Sequence, residues 1–358
     1  MTEAIEKPLT REDVLKAIEK NGGKAQGLQL SGKRFVGGVN LGNLNLSRIG
    51  LVGAHLEGAR LDGAHLEEAY LGGAHLEGAE LQRAHLERAQ LRGAHLEGAQ
   101  LGSAHFEKAN LWDANLEGAD LGDANLEGAY LWRANLKGAC LMNANLEGAK
   151  LLAVNLEEAD LTYANLEGTY LGHSHLERVY LEGVKLSPDT ELYDVHWGNY
   201  ILGEETRRFF DRAAHTYRQL KQWHTNAGMY GVAGNFFYRE MEARRKSRRW
   251  KAGPHLKLWY WILRLLCGYG EKAERVVISA IVLIFGLAAA YFFFSAFSSV
   301  TFLGCLYYSV VSFTALGYGS WVHPEPASWA KGLGAAEAVL GVFMMALFLV
   351  TFTRKMTR

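Results

Sequence analysis

Apolar residues recur at every fifth position over more than a third of this chain. Between residues 39 and 186, thirty central positions are all Leu except Phe106, and the residue two places before each is small or aliphatic. A helix advances about 140° in five residues, so these leucines would surround it and leave no apolar stripe. In a strand, an odd period sends alternate leucines to opposite faces. The pattern therefore predicts a solenoid whose regularly turning coils bury each Leu and pack on one another.

Two long apolar segments lie near the C-terminal end. Residues 276–297 carry no charge over 22 positions, and residues 332–353 are apolar apart from Glu337. A bilayer core needs roughly 20 apolar residues per helix, so both segments are predicted to span a membrane. Between them runs TALGYG, from Thr314 to Gly319, whose glycines permit backbone angles that aim successive carbonyls at one axis. Such a loop between two spans is typical of an ion filter.

The segment LYYSVVSFTALGYG, residues 306–319, resembles the pore helix and signature sequence of two-transmembrane potassium channels. The resemblance implies a half-helix over residues 302–314 whose negative dipole end faces the ion path. It also implies that backbone carbonyls of residues 315–318 coordinate dehydrated K+. Since one filter needs four loops and the chain has one, a homotetramer is expected. The predicted filter consists of Thr314, Ala315, Leu316, Gly317, Tyr318 and Gly319.

Two positions depart from that family's pattern. Ala315 stands where most members have a second Thr, whose hydroxyl helps to form the innermost ion site, and Ser320 stands where Asp usually follows GYG. The innermost site is therefore expected to be weaker, and a weakly selective cation channel is the alternative to K+ selectivity. A second GYG, residues 268–270, has neither the Thr nor a preceding pore helix, and it is expected to end a short helix with a glycine cap.

The five-residue unit, with copies such as AHLEGA and ANLEGA, resembles pentapeptide-repeat proteins. The resemblance implies that four pentapeptides form one square, right-handed coil, so thirty units would give a rod roughly 35 Å long. The expected fold class is mixed: a right-handed quadrilateral β-helix (the pentapeptide-repeat solenoid), an α-helical connector, and a two-helix transmembrane pore domain with a re-entrant pore loop. Some members of the family are acidic rods that mimic DNA and bind topoisomerases, so an interaction protein with a membrane anchor is the rival interpretation.

A second period, of ten residues, lies on the first. His occupies six equivalent places from His55 to His105, and Asn occupies the next six from Asn115 to Asn165. With 20-residue coils, alternate histidines would stack on two opposite faces. Two interpretations stay open: a metal-binding or pH-sensing ladder, or a position that accepts His and Asn equally as a hydrogen-bonding turn residue. No cofactor is predicted, and no metal beyond K+ in the filter.

Formal charges are unevenly spread although the net charge is zero. Residues 39–186 contain 11 Lys/Arg against 21 Asp/Glu, whereas residues 200–275 contain 16 against 7. The basic excess culminates in RRKSRRWK just before the first span, and Glu325 is the only formal charge between Arg275 and Lys331. By the positive-inside rule, both termini are expected to be cytoplasmic in a multi-pass protein of the cell (inner or plasma) membrane. Beside a span, the basic run favours anionic headgroups, so no nucleic-acid partner is expected.

Composition divides the chain into five predicted segments. A helical cap precedes the repeats, and a polar helix-forming stretch, interpreted as a helical hairpin, follows them. Pro254 then begins a Trp- and Tyr-rich stretch that suits a helix in the membrane interface. The predicted bounds are 1–34 for the cap, 35–190 for the solenoid, 191–252 for the connector, 253–271 for the interfacial helix and 272–358 for the pore domain, with spans at 276–297 and 332–353 and the pore helix and filter at 302–320.

The second span carries five candidates for pore support and gating: Glu337, Gly341, Met345, Phe348 and Phe352. An acid inside a span is costly, so Glu337 is expected to brace the pore helix through Ser312 or Thr314. Gly341 suits either a hinge or a close-packing position. The remaining three side chains lie about one turn apart, where they would line the cavity or form an apolar constriction.

These patterns predict a tetrameric potassium-type channel that conducts passively across a lipid bilayer and is not an enzyme. The solenoid is expected to be cytoplasmic, where it serves an unknown ligand or protein partner or acts as a structural cap. The chain shows neither an S4-like charged helix nor a nucleotide-binding fingerprint. The gating stimulus is therefore not predicted.

Overall fold

A computed structural model describes residues 7–247, 254–294, 296, 301–315 and 327–356. The chain divides into two compact units, one ending at Ala227 and the other beginning at Gly228. Each unit is described by itself below.

The first unit is a solenoid with 20 residues per coil. Parallel backbone bridges join residues 20 apart, as between His55 and His75 or Arg60 and Glu80, and the same step continues through Asn165 and Lys185. Each bridge is flanked by hydrogen bonds between coils, for example from Leu56 N to the His75 carbonyl at 2.8 Å. Four pentapeptides therefore make one coil, as the family resemblance implied.

The coils pair through single residues. The repeat solenoid is as expected, and among the described residues its coils are joined by isolated bridges without any β-strand. The reason is the turn in every pentapeptide: the amide of Ala54 donates to the carbonyl of Leu51 at 3.0 Å, and Gly53 between them has φ 62°. A positive φ at the third residue is the mark of a type II turn. Such frequent turns leave too few extended residues for a strand.

The solenoid core consists of the central Leu positions and the small residues that precede them by two places. All 29 central residues from Leu41 to Leu181 are buried, and Leu186 is half-buried. The flanking alanines, such as Ala104 and Ala114, are at most 1% exposed. Stacking the coils thus removes a continuous apolar column from water, at about 25 cal/mol per Å² of apolar area buried.

Helices close the first unit at both ends. Helix α1 (Arg11–Lys20) begins with a capping box between Thr10 and Asp13. After the last coil come α2 (Gly203–Thr206) and α3 (Phe210–Asn226). The indole of Trp223 donates to the Ser187 carbonyl at 2.9 Å, which fastens α3 to the chain just after the repeats. The first helix of the predicted connector is therefore part of the solenoid unit.

The second unit is helical throughout its described residues. Its elements are α4 (Tyr230–Ser247), α5 (Pro254–Cys267), a 3₁₀ turn (Gly268–Gly270), α6 (Ala273–Phe293), α7 (Phe302–Thr314) and α8 (Ser328–Met356). Two of these helices are long and apolar enough to cross a bilayer, over Ala273–Phe293 and Ser328–Thr353. The shorter apolar α7 packs against both.

A buried polar cluster ties α4 to the segment that precedes α6. The carboxylate of Glu242, 4% exposed, accepts a hydrogen bond from the Tyr269 hydroxyl at 2.7 Å and pairs with Arg245 at 3.0 Å and Arg264 at 3.2 Å. Burial acts to raise the pKa of Glu242, but hydrogen bonds from Arg245 and Tyr269 outweigh it and lower the pKa. Glu242 is therefore ionised at neutral pH, and its charge is balanced by the two guanidinium groups.

Candidate ion-conduction site

The half-helix α7 leads directly into the predicted filter. Thr301 caps its N-terminus by accepting from the Gly304 amide, and Ala315 ends it in the left-handed region at φ 51°. Of the predicted filter, Thr314 and Ala315 are described, whereas Leu316, Gly317, Tyr318 and Gly319 lie outside the described residues, as does Ser320. The last carbonyls of α7 carry the partial negative charge of the helix dipole, which favours a cation beyond its C-terminus.

Glu337 on α8 connects this helix to α6 and to the middle of α7. Its carboxylate is 1% exposed and accepts hydrogen bonds from the Tyr291 hydroxyl on α6 at 3.0 Å and from the Ser309 hydroxyl on α7. Ser309 also lies 3.0 Å from the Ile284 carbonyl. This three-helix contact, the Glu337 knot (Tyr291, Ser309 and Glu337), fixes the half-helix between the two long helices.

On the half-helix, Glu337 has a partner that the sequence did not indicate. Ser309 makes the hydrogen bond, one helical turn before Ser312, while Thr314 donates to the Val310 carbonyl of its own helix at 2.8 Å. The proposal that Glu337 bonds Thr314 is thus wrong in this structure, because that hydroxyl is turned back along α7. Sequence reasoning also missed Tyr291, for which the only signal was a hydroxyl within an apolar span.

Gly341 marks the closest approach of α8 to the half-helix. A Cβ added at this position would lie 1.7 Å from the carbonyl oxygen of Phe313. Real Cβ atoms essentially never come within 3.0 Å of another heavy atom, so only glycine fits here without displacement. The close-packing role of Gly341 is therefore visible in the structure, and its role as a hinge stays a prediction.

The three candidate gating residues lie toward the C-terminal half of α8. Met345 and Phe352 are exposed within one chain, and Phe348 is half-buried. The rings of Phe348 and Phe352 stack with centroids 5.5 Å apart, and Phe348 packs on a buried cluster that includes Phe313. An apolar surface formed this way is available to line a cavity or to contact another subunit.

The second GYG adopts a different structure from a filter. Residues Gly268–Gly270 form a 3₁₀ turn in which Tyr269 has φ 60° and its hydroxyl bonds Glu242. Burial and the neighbouring carboxylate raise the pKa of this hydroxyl. Its role is to connect α5 to α6, as its sequence context indicated.

The Glu337 knot provides the first testable expectation. Replacing Glu337 by Gln should weaken the brace by about 1–3 kcal/mol. In the wild type both hydroxyls donate to the carboxylate, whereas the amide of Gln has one acceptor oxygen and an NH₂ group that can only donate. Replacing it by Ala should cost more, since both hydroxyls lose their acceptor in a buried site. Thermal melts of the detergent-solubilised protein and its ion flux should fall in the order wild type, Gln, Ala. Glu274→Gln, an exposed acid at the start of α6, is the matched control. Wild-type conductance and selectivity in Glu337→Gln would exclude the bracing role.

Comparison with known families finds two separate matches. The model of the pentapeptide-repeat family matches eight times between residues 37 and 178. The model of a family described as ion channel matches residues 278–358, which include α7 and α8. No curated protein matches the chain.

Several solved structures resemble the repeat region. HetL of Nostoc sp. strain PCC 7120, a pentapeptide-repeat protein involved in heterocyst differentiation regulation, is 30% identical over 52% of this chain and 94% of its own, with a TM-score of 0.27. A pentapeptide-repeat protein of the Arabidopsis thaliana thylakoid lumen is 30% identical over 27% of this chain and 72% of its own, with a TM-score of 0.23. Another from Nostoc PCC 7120 is 32% identical over 30% and 84%, with a TM-score of 0.16.

Proposed function

Because the chain belongs to the pentapeptide-repeat family and carries an ion-channel domain at residues 278–358, we propose that it is a homotetrameric channel that conducts K+ passively across a membrane. Neither family is a family of enzymes. The ion-channel family implies a lipid bilayer and permeant ions as its surroundings. The two long apolar helices agree with a membrane location.

The observation that carries the proposal is the half-helix held by the Glu337 knot. A 13-residue helix between two bilayer-length helices is too short to span a membrane itself. It is fixed at its middle by Ser309 and at its C-terminal end by the Gly341 contact, and in sequence it runs directly into TALGYG. Rigid support of this kind is what a filter requires, because carbonyls must replace an ion's water shell at fixed distances.

The filter proposed for K+ is made of the backbone of Thr314, Ala315, Leu316, Gly317, Tyr318 and Gly319. One loop per chain makes four chains around one axis the simplest closed arrangement. In such a tetramer Met345, Phe348 and Phe352 are placed to line the cavity or to close it as an apolar constriction. Basic residues flanking both spans favour an orientation with both termini, and hence the solenoid, in the cytoplasm of a cell bounded by this membrane.

Ala315 sets the expected limit of selectivity. The residue has no hydroxyl, so the innermost ion site is formed without that ligand. A weakly selective cation channel, which also conducts Na+, is therefore the alternative function. We also take the solenoid to be a right-handed, four-sided coil, as its likeness to pentapeptide-repeat proteins implies, and the 20-residue step between coils agrees with four pentapeptides per coil.

Liposome flux tests the proposal. Purified full-length protein is reconstituted in vesicles, and ion movement is followed under a K+ gradient and then under a Na+ gradient. K+ flux well above protein-free vesicles, with little Na+ flux, is the expected result, and cross-linking should give a four-chain ladder. Equal K+ and Na+ flux would leave the channel and remove its selectivity. No flux, together with tight binding to a topoisomerase, would instead establish the acidic solenoid as an interaction module with a membrane anchor.

A further inference from the structure

Two ladders of histidine run along the N-terminal half of the solenoid. His55, His75 and His95 stack on one face, with ring centroids 4.7 Å apart and planes within 4° of parallel. The second ladder stacks with centroids 4.6–4.9 Å apart and planes within 2° of parallel, and its members are His65, His85 and His105. The spacing equals that of the coils, because one residue per coil occupies each ladder.

Each of these histidines has a glutamate two residues later. The Nδ1 atom lies 2.8–3.5 Å from Oε1 of that glutamate in all six pairs, from His55 and Glu57 to His105 and Glu107. The separation is shortest at His65, 2.8 Å, and reaches 3.5 Å at His95 and His105. A neutral imidazole has only one N–H, so it satisfies one carboxylate oxygen at most.

Four of these carboxylates keep one buried oxygen without a partner. The atoms are Oε2 of Glu77, Glu87, Glu97 and Glu107. Buried acceptors of this kind are uncommon in native proteins and call for a donor or a cation. At the equivalent place in the later coils, Glu117, Glu127 and Glu147 are exposed to solvent.

The Asn half of the solenoid has side-chain donors that the His half lacks. Asn135 donates to Glu117 Oε2 at 3.1 Å and to Asn115 Oδ1 of the coil before at 2.9 Å. An amide has two N–H donors and an acceptor, so an Asn ladder satisfies both itself and the glutamates. Replacing Asn by His at the same place removes one N–H donor and exchanges an amide oxygen for an imidazole nitrogen, which is the better ligand for transition metals. The His half is therefore deficient in positive charge and donors, and rich in ligand atoms.

The ligand atoms also lie close enough together for an ion. Four groups of three side chains each have one nitrogen or oxygen per residue within 4.8 Å of the others. They are His55, Glu57 and His75; His65, Glu67 and His85; His75, Glu77 and His95; and Glu87, His105 and Glu107. Every group joins two neighbouring coils. Imidazole and carboxylate are the ligand set of Zn²⁺ sites that keep a position for water.

We propose that the two His–Glu faces of the solenoid, within residues 55–107, bind divalent transition-metal ions, with Zn²⁺ the best match to their ligands. Zn–N and Zn–O bonds are about 2.0–2.2 Å, so ligand atoms on one ion are at most about 4.4 Å apart. Half-exposed side chains close that gap by small rotations, while the coil backbone stays in place. The ion supplies the positive charge that the orphaned oxygens lack, and it cross-links successive coils.

Metal titration of the full-length protein tests the proposal without any need for ion flux. Zn²⁺ is titrated at pH 7.5 against a chromogenic chelator of micromolar affinity, and Co²⁺ binding is followed by its visible absorption. Wild type should take Zn²⁺ from the chelator and give a Co²⁺ spectrum. The variant carries His75→Asn, His85→Asn, His95→Asn and His105→Asn, changes the solenoid already accommodates in its later coils. Its affinity should fall more than about 100-fold, beyond the 10–100-fold typical of a lost second-shell partner.

Two controls separate this site from the alternatives. His215→Asn, on the exposed side of α3, should bind Zn²⁺ as wild type does. The variant Glu57→Gln, Glu67→Gln, Glu77→Gln and Glu87→Gln keeps every histidine and should also weaken binding, because it removes a charged ligand from each of the four groups. Wild-type protein that leaves Zn²⁺ on the chelator would overturn the proposal, and so would equal Zn²⁺ affinity in the four-His variant. A ladder that responds to acidification alone, with no metal bound, would make it a proton-binding surface instead.

Discussion

Replacing Gly341 by Ala should abolish ion flux. The new Cβ would lie 1.7 Å from the Phe313 carbonyl oxygen, so α7 and α8 must separate by more than 1 Å. Overpacking of this severity costs about 3 kcal/mol or more in each chain. Phe313 is the residue before Thr314, so the displacement acts directly on the entrance to the filter. The measurement is K+ flux in liposomes, paired with size-exclusion chromatography to follow assembly.

Gly332→Ala is the matched control for this prediction. Gly332 lies in the same helix, and a Cβ there has no heavy atom of the described residues within 4 Å. Since Ala is the stronger helix former, this change should leave flux intact and stabilise α8 slightly. Wild-type flux in Gly341→Ala would show that α8 does not approach α7 as described. Equal loss in both variants would point to a contact between chains, away from the Phe313 carbonyl.

Replacing Leu116 by Asp should unfold the middle coils of the solenoid. The side chain is fully buried among the central leucines, and its removal alone costs about 2–5 kcal/mol. An ionised carboxylate in the same place has no hydrogen-bond donor and adds a desolvation penalty of several kcal/mol more. Because each coil is supported only by its neighbours, the damage should spread along the rod.

Limited proteolysis and circular dichroism of the full-length protein measure this effect. Leu116→Asp should expose new cleavage sites within residues 39–186 and remove the cooperative melt of the solenoid. Glu117→Asp, at the adjacent exposed position, should melt as wild type does. A Leu116→Asp protein with the wild-type protease pattern would contradict a continuous Leu core.

The five-residue period predicted the coil of the solenoid but not the backbone conformation of its turns. The five-residue period excluded a helix and a plain strand and required a turning chain, and the structure has a coil of 20 residues. The turns themselves were less visible, because Glu68 and Arg88 adopt the same left-handed backbone as Gly53. Inter-coil hydrogen bonds impose that conformation whatever the residue, so local preference does not reveal it.

The connector shows a limit of another kind. Its polar, helical composition predicted helices, but it did not show that α3 would belong to the solenoid unit and α4 to the helical unit. The determining contacts, such as Trp223 with the Ser187 carbonyl, join residues 36 apart and leave no periodic signature. Which unit a helix joins depends on which apolar surfaces are left exposed at the ends of the solenoid, and these surfaces exist only once the solenoid has folded.

By itself, the sequence determined the repeating core, the two bilayer-length helices and the TALGYG loop between them, because each depends on periodicity or composition within a continuous segment. The tertiary structure alone decided how the half-helix is held. Tyr291, Ser309 and Glu337 meet from three helices, and Gly341 admits the Phe313 carbonyl. It also decided that six histidines, ten residues apart in sequence, form two stacked ladders, and that four of the glutamates beside them keep an orphaned carboxylate oxygen. Such contacts arise between residues distant along the chain, so only the packed fold specifies which polar groups find partners and which do not.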